Sequence, residues 1–490
     1  MTRVLNLLLA LLLGLSFATP TVANGQNITQ LFSFPCPNRQ FGSCPDGYRP
    51  NVLIQASDSN FYGTAQLTTM GTSNPQGGTV FKITRAGQFT LLFTFTHNSS
   101  GNYVNGNQPA TALVEGNDGF LYGTTFTGGA NNGGVLFRIG KNGKGFKVVH
   151  NFCSATNCSD GNLPIALILG QDGDLYGATE FGGSNEGNCQ VVGGCGTIFR
   201  IIPPSSFATL FVFDGSTSVG ANPIGLVQGS DGNFYGTSPD HVFRFTSGGQ
   251  FTILESFPKV NGILPTNPIS GLFQASDGNL YGALTTYAIN QVQFYEISPS
   301  GSGLQEFPSF GNNTDAGGLV PRLIQASDGN LWGAVLRIGG VGGSVIVMSP
   351  GSGSVVKSFP FTSANGEDPE ASVVQGDDGK IYGTATDGGT GQNGQQAVGT
   401  IWSLDAGLPA PSAAIAAFAP SSGSAGSKVT IRGNNFIGTT AVTFNGASAT
   451  FKVLNANFIT ATVPAGATTG PVAVTNPGGT TVSSNQFTVQ

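Results

Sequence analysis

The amino-acid sequence predicts an all-β protein: a seven-bladed β-propeller followed by a small β-sandwich. Three observations support this. One sequence phrase, an apolar run followed by an Asp/Gly/Asn turn and then an aromatic residue with glycine, occurs seven times. Charged residues make up only 9% of the 490 residues, which include 75 Gly and 36 Phe. The last stretch, 412–490, lacks the phrase and alternates apolar with polar residues, as a half-buried strand does.

Each copy of the phrase predicts a β-hairpin, because Asp and Gly adopt turn conformations that β-branched residues avoid. The copies follow one another at roughly fifty-residue spacing, which is typical of a repeat array. The copies end at Gly63, Gly123, Gly177, Gly236, Gly282, Gly333 and Gly383.

Two further strands are predicted after each hairpin. One is typified by GTVFKI at Gly78 to Ile83, and the other is rich in Phe, as in FTLLFTF from Phe89. Four strands per unit are typical of a propeller blade. The last unit stops at Leu404 without its Phe-rich strand, and Ile28 to Phe34 has the missing pattern. We therefore expect residues 28–34 to pair with Thr400 to Leu404 and to close the ring, which removes unpaired edges.

Residues 1–23 are predicted to be a signal peptide. Arg3 precedes a short apolar run, and Thr21 and Ala23 are small residues suited to cleavage after position 23. Later segments are too short and polar to span a membrane as a helix. The mature chain is expected to be secreted or on the cell surface, or periplasmic if the source is a two-membrane bacterium.

The six cysteines are predicted to form three local disulfides, as an even count in an exported chain favours. The alternative, a metal site, lacks a Cys-x-x-Cys spacing or a nearby His, so neither a metal nor another cofactor is predicted. The expected pairs are Cys36 with Cys44, Cys153 with Cys158, and Cys189 with Cys195.

The residues that recur in every hairpin are predicted to be architectural. The Tyr or Trp before each terminal glycine should pack between blades, and each turn Asp should accept hydrogen bonds from its own backbone. Calcium binding by these aspartates is the alternative, but the sequence does not match the twelve-residue calcium loop. The aspartates are Asp58, Asp118, Asp172, Asp231, Asp277, Asp328 and Asp378.

Residues 412–490 resemble the IPT/TIG family of immunoglobulin-like domains. The matching segments are Pro420 to Gly426, Val429 to Phe436 (VTIRGNNF), Val442 to Gly446, Ile459 to Pro464 and Val474 to Gly479. Members occur in receptors, transcription factors and bacterial surface proteins, so the resemblance implies a spacer or interaction role. Residues 405–411 are expected to be a linker, because they combine proline with small residues.

Residues from about 28 to 404 are similar to the GloVer tandem repeat of exported bacterial proteins. The resemblance is carried by DGNLYG, by double glycines such as Gly128-Gly129 and by the GTVFKI-type strands. It implies export and a propeller-like architecture for residues 24–404, and no general activity. The first copy departs from the pattern, because Ser59 stands where Gly is usual.

The candidate ligand site lies in the loops that follow the aromatic-Gly step, since unequal loops on a repetitive scaffold are where binding residues concentrate. The longest are Thr64 to Gly78, Ala178 to Gly196 and Thr384 to Gly399, and the shortest is Thr237 to His241. The candidate ligand-binding residues are Glu180, Glu186, Asp240, His241 and Asp387.

These features favour a non-catalytic binding or presentation protein that recognises glycans or another surface protein. Two alternatives stay open. A glycoside hydrolase or lyase would need two carboxyl groups about 5 to 9.5 Å apart, with Glu180, Glu186 and Asp387 as candidates, and no catalytic residue is assigned. A structural envelope component is the other alternative. The net charge of −6 argues against nucleic acid as a partner.

Overall fold

The all-β prediction is confirmed by a computed structural model of the chain. Among the residues that the structure describes, the secondary structure consists of strands and one 3-10 turn, Thr156–Cys158. The structure describes residues 21–22, 28–36, 42–70, 77–184, 189, 193–257, 266–268, 270–286, 291–307, 323–335, 342–391 and 397–490. The leader predicted for residues 1–23 lies outside these ranges except for residues 21–22. The described part of the chain contains no helix of the length and hydropathy that a membrane crossing requires.

Seven sheets, formed by the described residues from 28 to 404, follow one another along the chain as antiparallel meanders. The first contains Gly42–Pro50, Ile54–Gln55, Phe61–Met70, Thr79–Ile83 and Phe89–Thr94. The second contains Asn107–Pro109, Val114–Glu115, Phe120–Thr127, Val135–Gly140 and Lys147–Asn151. The third contains Asn162–Leu169, Leu175–Phe181, Thr197–Ile202 and Ser206–Val212. The fourth contains Gly225–Gln228, Phe234–Ser238, His241–Phe245 and Phe251–Ser256.

The remaining three sheets repeat this order. The fifth contains Thr266–Pro268, Phe273–Gln274, Leu280–Thr286, Gln291–Ile297 and Gln305–Glu306. The sixth contains Ile324–Gln325, Leu331–Val335, Ser344–Met348 and Val355–Pro360, with Thr21–Val22 lying parallel to the last of these. The seventh contains Val374–Gln375, Ile381–Ala385, Thr400–Leu404 and Ile28–Ser33.

The seventh sheet takes its outer strand from the beginning of the chain. Ile28–Ser33 lies antiparallel to Thr400–Leu404, with Ile28 opposite Leu404 and Ser33 opposite Thr400. This is the pairing that the incomplete last repeat predicts. Phe32 also stacks on Phe89 of the first sheet, with ring centroids 4.0 Å apart.

The meander order gives the sheets two distinct faces. Because neighbouring strands are antiparallel, the turn between the first and second strands and the turn between the third and fourth strands lie at the same end of a sheet. We call this end the hairpin face. The loops from the second to the third strand, and from one sheet to the next, lie at the opposite end, which we call the loop face.

The hairpins keep one register. Ile54 is opposite Tyr62 in the first sheet, and Ile324 is opposite Trp332 in the sixth. The aromatic ring at this position is almost fully buried in every sheet, so the packing interpretation of these residues is confirmed. Burying an aromatic side chain stabilises a fold by roughly 1.5 to 3 kcal/mol. The seven residues are Tyr62, Tyr122, Tyr176, Tyr235, Tyr281, Trp332 and Tyr382.

Neighbouring sheets are joined by a side-chain amide on the hairpin face. Gln228 of the fourth sheet accepts a hydrogen bond from the backbone N–H of Gln171 in the third, at 2.7 Å. Its own amide N–H donates to Gly232 O in its own turn at 2.9 Å. The same bond to the preceding sheet is made by Gln274, Gln325 and Gln375, and by Gln55, which accepts from Asp377 N of the seventh sheet.

Residues 412–490 form a separate unit of two sheets that share one core. The first sheet contains Ala414–Ala419, Lys428–Asn434, Phe458–Thr462 and Thr450–Asn455. The second contains Ser422–Gly423, Gly479–Val489, Gly470–Asn476, Ala441–Phe444 and Ala447–Ser448. Val429, Ile459 and Phe487 are fully buried between them. We refer to these residues as the C-terminal unit.

The three predicted cysteine pairs are bonded, as the separations of five to eight residues favour. The Cys153–Cys158 loop is also held by Asp160, which accepts hydrogen bonds from the Ser154 hydroxyl at 2.7 Å and from His150 Nε2 at 3.0 Å. His150 of the second sheet stacks on Phe207 of the third sheet. At the preceding junction, Phe93 of the first sheet makes the equivalent stack on Phe146 of the second.

Candidate ligand-binding site

The repeated polar groups of the hairpin face are occupied by contacts within the protein. Asp231 Oδ1 accepts from the backbone N–H of Asn233 at 3.1 Å, and Oδ2 accepts from the Tyr235 hydroxyl at 2.7 Å. Burial, together with this hydrogen bond, raises the pKa of Tyr235 to about 12. Each turn Asp accepts from the backbone N–H two residues on, so the turn-capping interpretation of these aspartates is confirmed.

The first sheet is held on both sides by buried carboxylates of the hairpin face. Glu115 of the second sheet accepts from Ser57 N and Ser57 Oγ, both at 2.7 Å, and pairs with Lys141 at 2.5 Å. Asp377 of the seventh sheet pairs with Arg85 and accepts from Ser59 Oγ at 2.9 Å. The side chains of both acids are about 95% buried, with 3% and 6% exposed. The cations are partly exposed, 24% for Lys141 and 38% for Arg85, whereas the carboxylates themselves are occupied by contacts within the protein.

Ser59 shows why the first hairpin departs from the repeat. It adopts a left-handed backbone with φ of 61°, where the other copies have Gly, such as Gly119 at 83°. A side chain in this region is strained. The hydroxyl of Ser59 offsets that cost by donating to Asp377.

The C-terminal unit also lies on the hairpin face. Asn455 Nδ2 donates to Glu115 O at 3.2 Å and to Asn117 Oδ1 at 2.8 Å, both in the second sheet. Arg432 donates to Gln171 O of the third sheet at 3.2 Å. On the other side, Pro409 O, in the segment that leads into the unit, accepts from Ser327 Oγ of the sixth sheet at 2.6 Å. The hairpin face is therefore partly covered.

The predicted ligand-binding residues that the structure describes lie on the loop face, in two separate places. Glu180 ends the second strand of the third sheet, where burial raises its pKa. Its backbone oxygen accepts from Asn222 Nδ2 at 2.9 Å. Asn222 follows Gly220, which lies against Asp240 and His241 of the fourth sheet. Glu180 and the Asp240–His241 pair therefore border the same loop.

The side chains of Asp240 and His241 make their hydrogen bonds within their own turn. Asp240 Oδ1 accepts from Ser238 Oγ at 3.0 Å, and His241 Nδ1 lies 2.5 Å from Asp240 O. His241 is 5% exposed, and its Nε2 has no hydrogen-bond partner among the described residues. Among the described residues, the ring bonds to the backbone oxygen of Asp240 and to no carboxylate, which is the kind of partner that orients a general base.

Asp387 is not brought to the same place. It lies in the seventh sheet, three sheets from His241, where it forms a backbone bridge with Glu367, and its Oδ1 accepts from Gly388 N at 2.8 Å. Glu186 lies outside the residues that the structure describes. Among the described residues, no group of three or more His, Cys, Asp or Glu side chains is arranged to hold a metal ion.

The loop face carries a cleft that the sequence reasoning missed. It lies between the loop that joins the first and second sheets and the double-glycine loop of the second sheet. Tyr103 is half-buried at its centre, and Val104, Asn102 and Asn131 are exposed beside it. Burial raises the pKa of Tyr103, so its hydroxyl remains protonated at neutral pH.

A signal for this cleft exists in the sequence. Tyr103 belongs to the small group of tyrosines outside the seven hairpins, and it lies in the asparagine-rich segment HNSSGNYVNGNQ, residues 97–108. The segment does not recur in the other repeats, so a search based on the repeat discards it. Residues that break a repeat are the better indicator of a site on such a scaffold.

The folded arrangement is that of an all-β repeat protein with two unlike faces. The chain belongs to the Gloeobacter/Verrucomicrobia repeat family, whose model matches residues 23–191 and 239–453. This confirms the resemblance of the repeats. A comparison with curated proteins found no match.

Solved structures show only a distant likeness. One is a fungal alcohol oxidase of the AA5 family in complex with copper, at 12% identity and a TM-score of 0.46, with 92% of this chain and 100% of that chain covered. A luciferin-regenerating enzyme has 11% identity and a TM-score of 0.38, with 78% and 97% covered. The nidogen/laminin complex has 12% identity and a TM-score of 0.35, with 58% and 92% covered. With TM-scores below 0.5, these proteins imply nothing about the activity of this chain.

Proposed function

We propose that the seven sheets are the blades of a seven-bladed β-propeller, residues 24–404, closed by the strand at 28–34. Support comes from the bond between Asp377 N and Gln55 Oε1, and from the stacking of Phe32 on Phe89, which both join the seventh sheet to the first. The C-terminal unit is an immunoglobulin-like domain of the IPT/TIG type, on the strength of its sequence motifs and its two sheets, which are antiparallel except for the parallel pairing of Ser422–Gly423 with Gly479–Val489. Residues 1–23 are a signal peptide.

The protein is a secreted or cell-surface binding protein without catalytic activity, which recognises a glycan or a surface protein through its loop face. One observation carries this proposal. The repeated polar groups of the hairpin face are bonded internally, and the C-terminal unit lies over part of that face. The loop face, in contrast, carries the non-repeated loops and the Tyr103 cleft. Three disulfides support an oxidising location.

A matched pair of labelled variants, one in the loop that precedes the fourth sheet and one in a turn of that sheet, tests this assignment of faces. Thr217→Cys, on the loop face, and Gln250→Cys, on the hairpin face, are each coupled to a polyethylene glycol maleimide; both positions are exposed. Binding is measured on an array of defined glycans and immobilised cell-surface proteins. We expect the label at position 217 to reduce binding and the label at position 250 to leave it unchanged. Blocking from position 250 alone, or no binding by the unlabelled protein, contradicts the proposal.

A further inference from the structure

The Tyr103 cleft combines an aromatic ring with exposed amide side chains and has no charged lining residue. We propose that it binds the neutral hexose units of a glycan, with Tyr103 as the contact surface for the sugar ring. This inference rests on the proposed function of the loop face and assigns to it a position and a ligand class.

The cleft is held in place by bonds between its two loops. Tyr103 O accepts from Gly106 N at 3.0 Å and from Gly129 N at 2.8 Å. Behind it, the buried Asn107 accepts from Gly77 N at 2.7 Å and donates to Thr127 Oγ1 at 3.0 Å. The His97 ring packs edge-on against Tyr103, with centroids 5.6 Å apart. A preformed cleft of this kind loses little conformational freedom when a ligand binds.

The groups that face the opening suit a sugar. Tyr103 and Val104 provide apolar surface for the C–H groups of a pyranose ring, and the tyrosine hydroxyl remains a donor. The exposed amides of Asn102 and Asn131 each combine a donor and an acceptor, whereas Asn132, whose Oδ1 accepts from Gly128 N at 3.0 Å, offers its N–H groups. A sugar hydroxyl likewise donates and accepts, so paired amide groups match it. Tyrosine, asparagine and glycine in loops are also the residues that adaptable binding surfaces use.

The charge distribution selects the class of glycan. The cleft lining contains neither Asp, Glu, Lys nor Arg. A uronate or a sulfated sugar would therefore lose water without gaining a counter-charge. The contrast lies on the hairpin face, where a second cleft is lined by Lys82, Lys141 and Lys144 together with Asp58. The uncharged cleft therefore favours a neutral hexose.

Calorimetry with defined oligosaccharides tests the inference. The probes are hexamers of β-1,4-glucan, β-1,3-glucan and β-1,4-mannan, with oligogalacturonate as the anionic comparison. We expect the full chain to bind at least one neutral hexamer and to bind oligogalacturonate more weakly. Tyr103→Ala should weaken binding of the neutral hexamer by about tenfold or more, equivalent to roughly 1.4 kcal/mol. Asn131→Ala should weaken this binding less, and Gln250→Ala, on the hairpin face, should leave it unchanged.

Thermal unfolding of each variant shows that a loss of binding is not a loss of folding. If Tyr103→Ala is folded and binds a neutral hexamer as the wild type does, the cleft assignment is wrong, while the loop-face function stands. Stronger binding of oligogalacturonate overturns the neutral class. If none of the neutral hexamers binds, the inference fails, and the labelled variants at positions 217 and 250 decide separately whether the loop face binds another ligand.

Discussion

The contacts between neighbouring sheets on the hairpin face differ around the molecule. Between the third and seventh sheets, each junction is made by a neutral Gln such as Gln228. At the junction of the first and second sheets, the carboxylate of Glu115 takes the place of the Gln. At the junction of the seventh and first sheets, the Gln55 bond is supplemented by the buried carboxylate of Asp377, and both carboxylates are paired with a cation. A buried ion pair costs more to desolvate than an amide, so it contributes specificity more readily than net stability. These two junctions flank the first sheet, which adjoins the sheet where Ile28–Ser33 meets Thr400–Leu404.

The junction between the second and third sheets is of a third kind. At the repeat position where the other copies have Gln or Glu, the third sheet has Leu169, which provides no acceptor for the neighbouring turn. On the loop face this junction is still held by Leu163 N, which donates to Gly133 O at 3.0 Å. On the hairpin face the C-terminal unit contacts both sides, through Asn455 on the second sheet and Arg432 on the third. The non-repeated domain therefore docks where the repeated clamp is missing.

The largest effect is expected at a charged junction. Glu115→Ala removes the acceptor of Ser57 N and the carboxylate partner of Lys141, which keeps Ser57 Oγ as an acceptor. Leaving a buried polar group unpaired in this way costs about 1 to 3 kcal/mol. Glu115→Gln keeps an amide oxygen for Ser57 N and should cost less. The free energy of unfolding is measured by denaturant titration. Equal losses for the two variants would show that the charge itself is unimportant there.

The neutral junctions should respond more weakly. Gln228→Ala removes the acceptor of Gln171 N, and a lost hydrogen bond of this kind costs about 1 kcal/mol. The same titration measures it, with Gln250→Ala as an exposed control of the same residue type. A loss as large as that of Glu115→Ala would remove the distinction between the two kinds of junction.

Removing the contacts between the C-terminal unit and the second and third sheets should change the position of the unit more than the stability of the sheets. Asn455→Ala combined with Arg432→Ala removes three hydrogen bonds to the second and third sheets. We expect faster thermolysin cleavage in the linker, residues 405–411, and a larger radius of gyration in solution scattering. Lys452→Ala, exposed on the same strand as Asn455, is the control. Unchanged cleavage relative to that control would mean that these contacts do not hold the unit.

The smallest effect concerns the same junction at its outer edge and depends on pH. Burial lowers the pKa of His150 below 6.5, against the opposing influence of Asp160. The unfolded chain then binds more protons than the folded chain in the window below pH 6.5, so stability falls as the pH falls through it. His150→Phe places at this position the residue type that Phe93 supplies in the first sheet, keeps a ring to stack on Phe207, and should reduce this fall in stability. The fall is measured as the difference in melting temperature between pH 7.5 and 5.5. An equal difference in the wild type and the variant contradicts the assignment to His150.

Much of the fold was predictable because the same sequence pattern recurs. The hairpin positions and the strand at residues 28–34 follow from comparing one repeat with the next, and the cysteine pairs follow from an even count at short separations. The Gln of the hairpin clamp was also readable, since Gln or Glu recurs two residues before the turn Ser, Asn or Asp in six copies, with Leu169 as the exception.

The remainder depends on single residues that a repeat pattern cannot reveal. Asn455 is one of many asparagines, and its contact with Asn117 follows from the placement of a whole domain. The Tyr103 cleft requires the loop between the first and second sheets to meet the double-glycine loop of the second sheet, which neither loop specifies alone. Glu180 and His241 were predicted to bind a ligand, which stays a prediction, and their burial and local bonds are set by the neighbouring sheet.

The pairing of Ile28–Ser33 with Thr400–Leu404 also has a consequence for biosynthesis. Within residues 28–404, Ile28–Ser33 is synthesised before the other strands of the seven sheets and its partner after them, and until then its backbone groups are open to other chains. A product truncated before residue 400 keeps this edge uncovered. Completion of the seventh sheet thus distinguishes molecules that extend past residue 404 from those that end before residue 400, and the shorter products should aggregate where the longer ones do not.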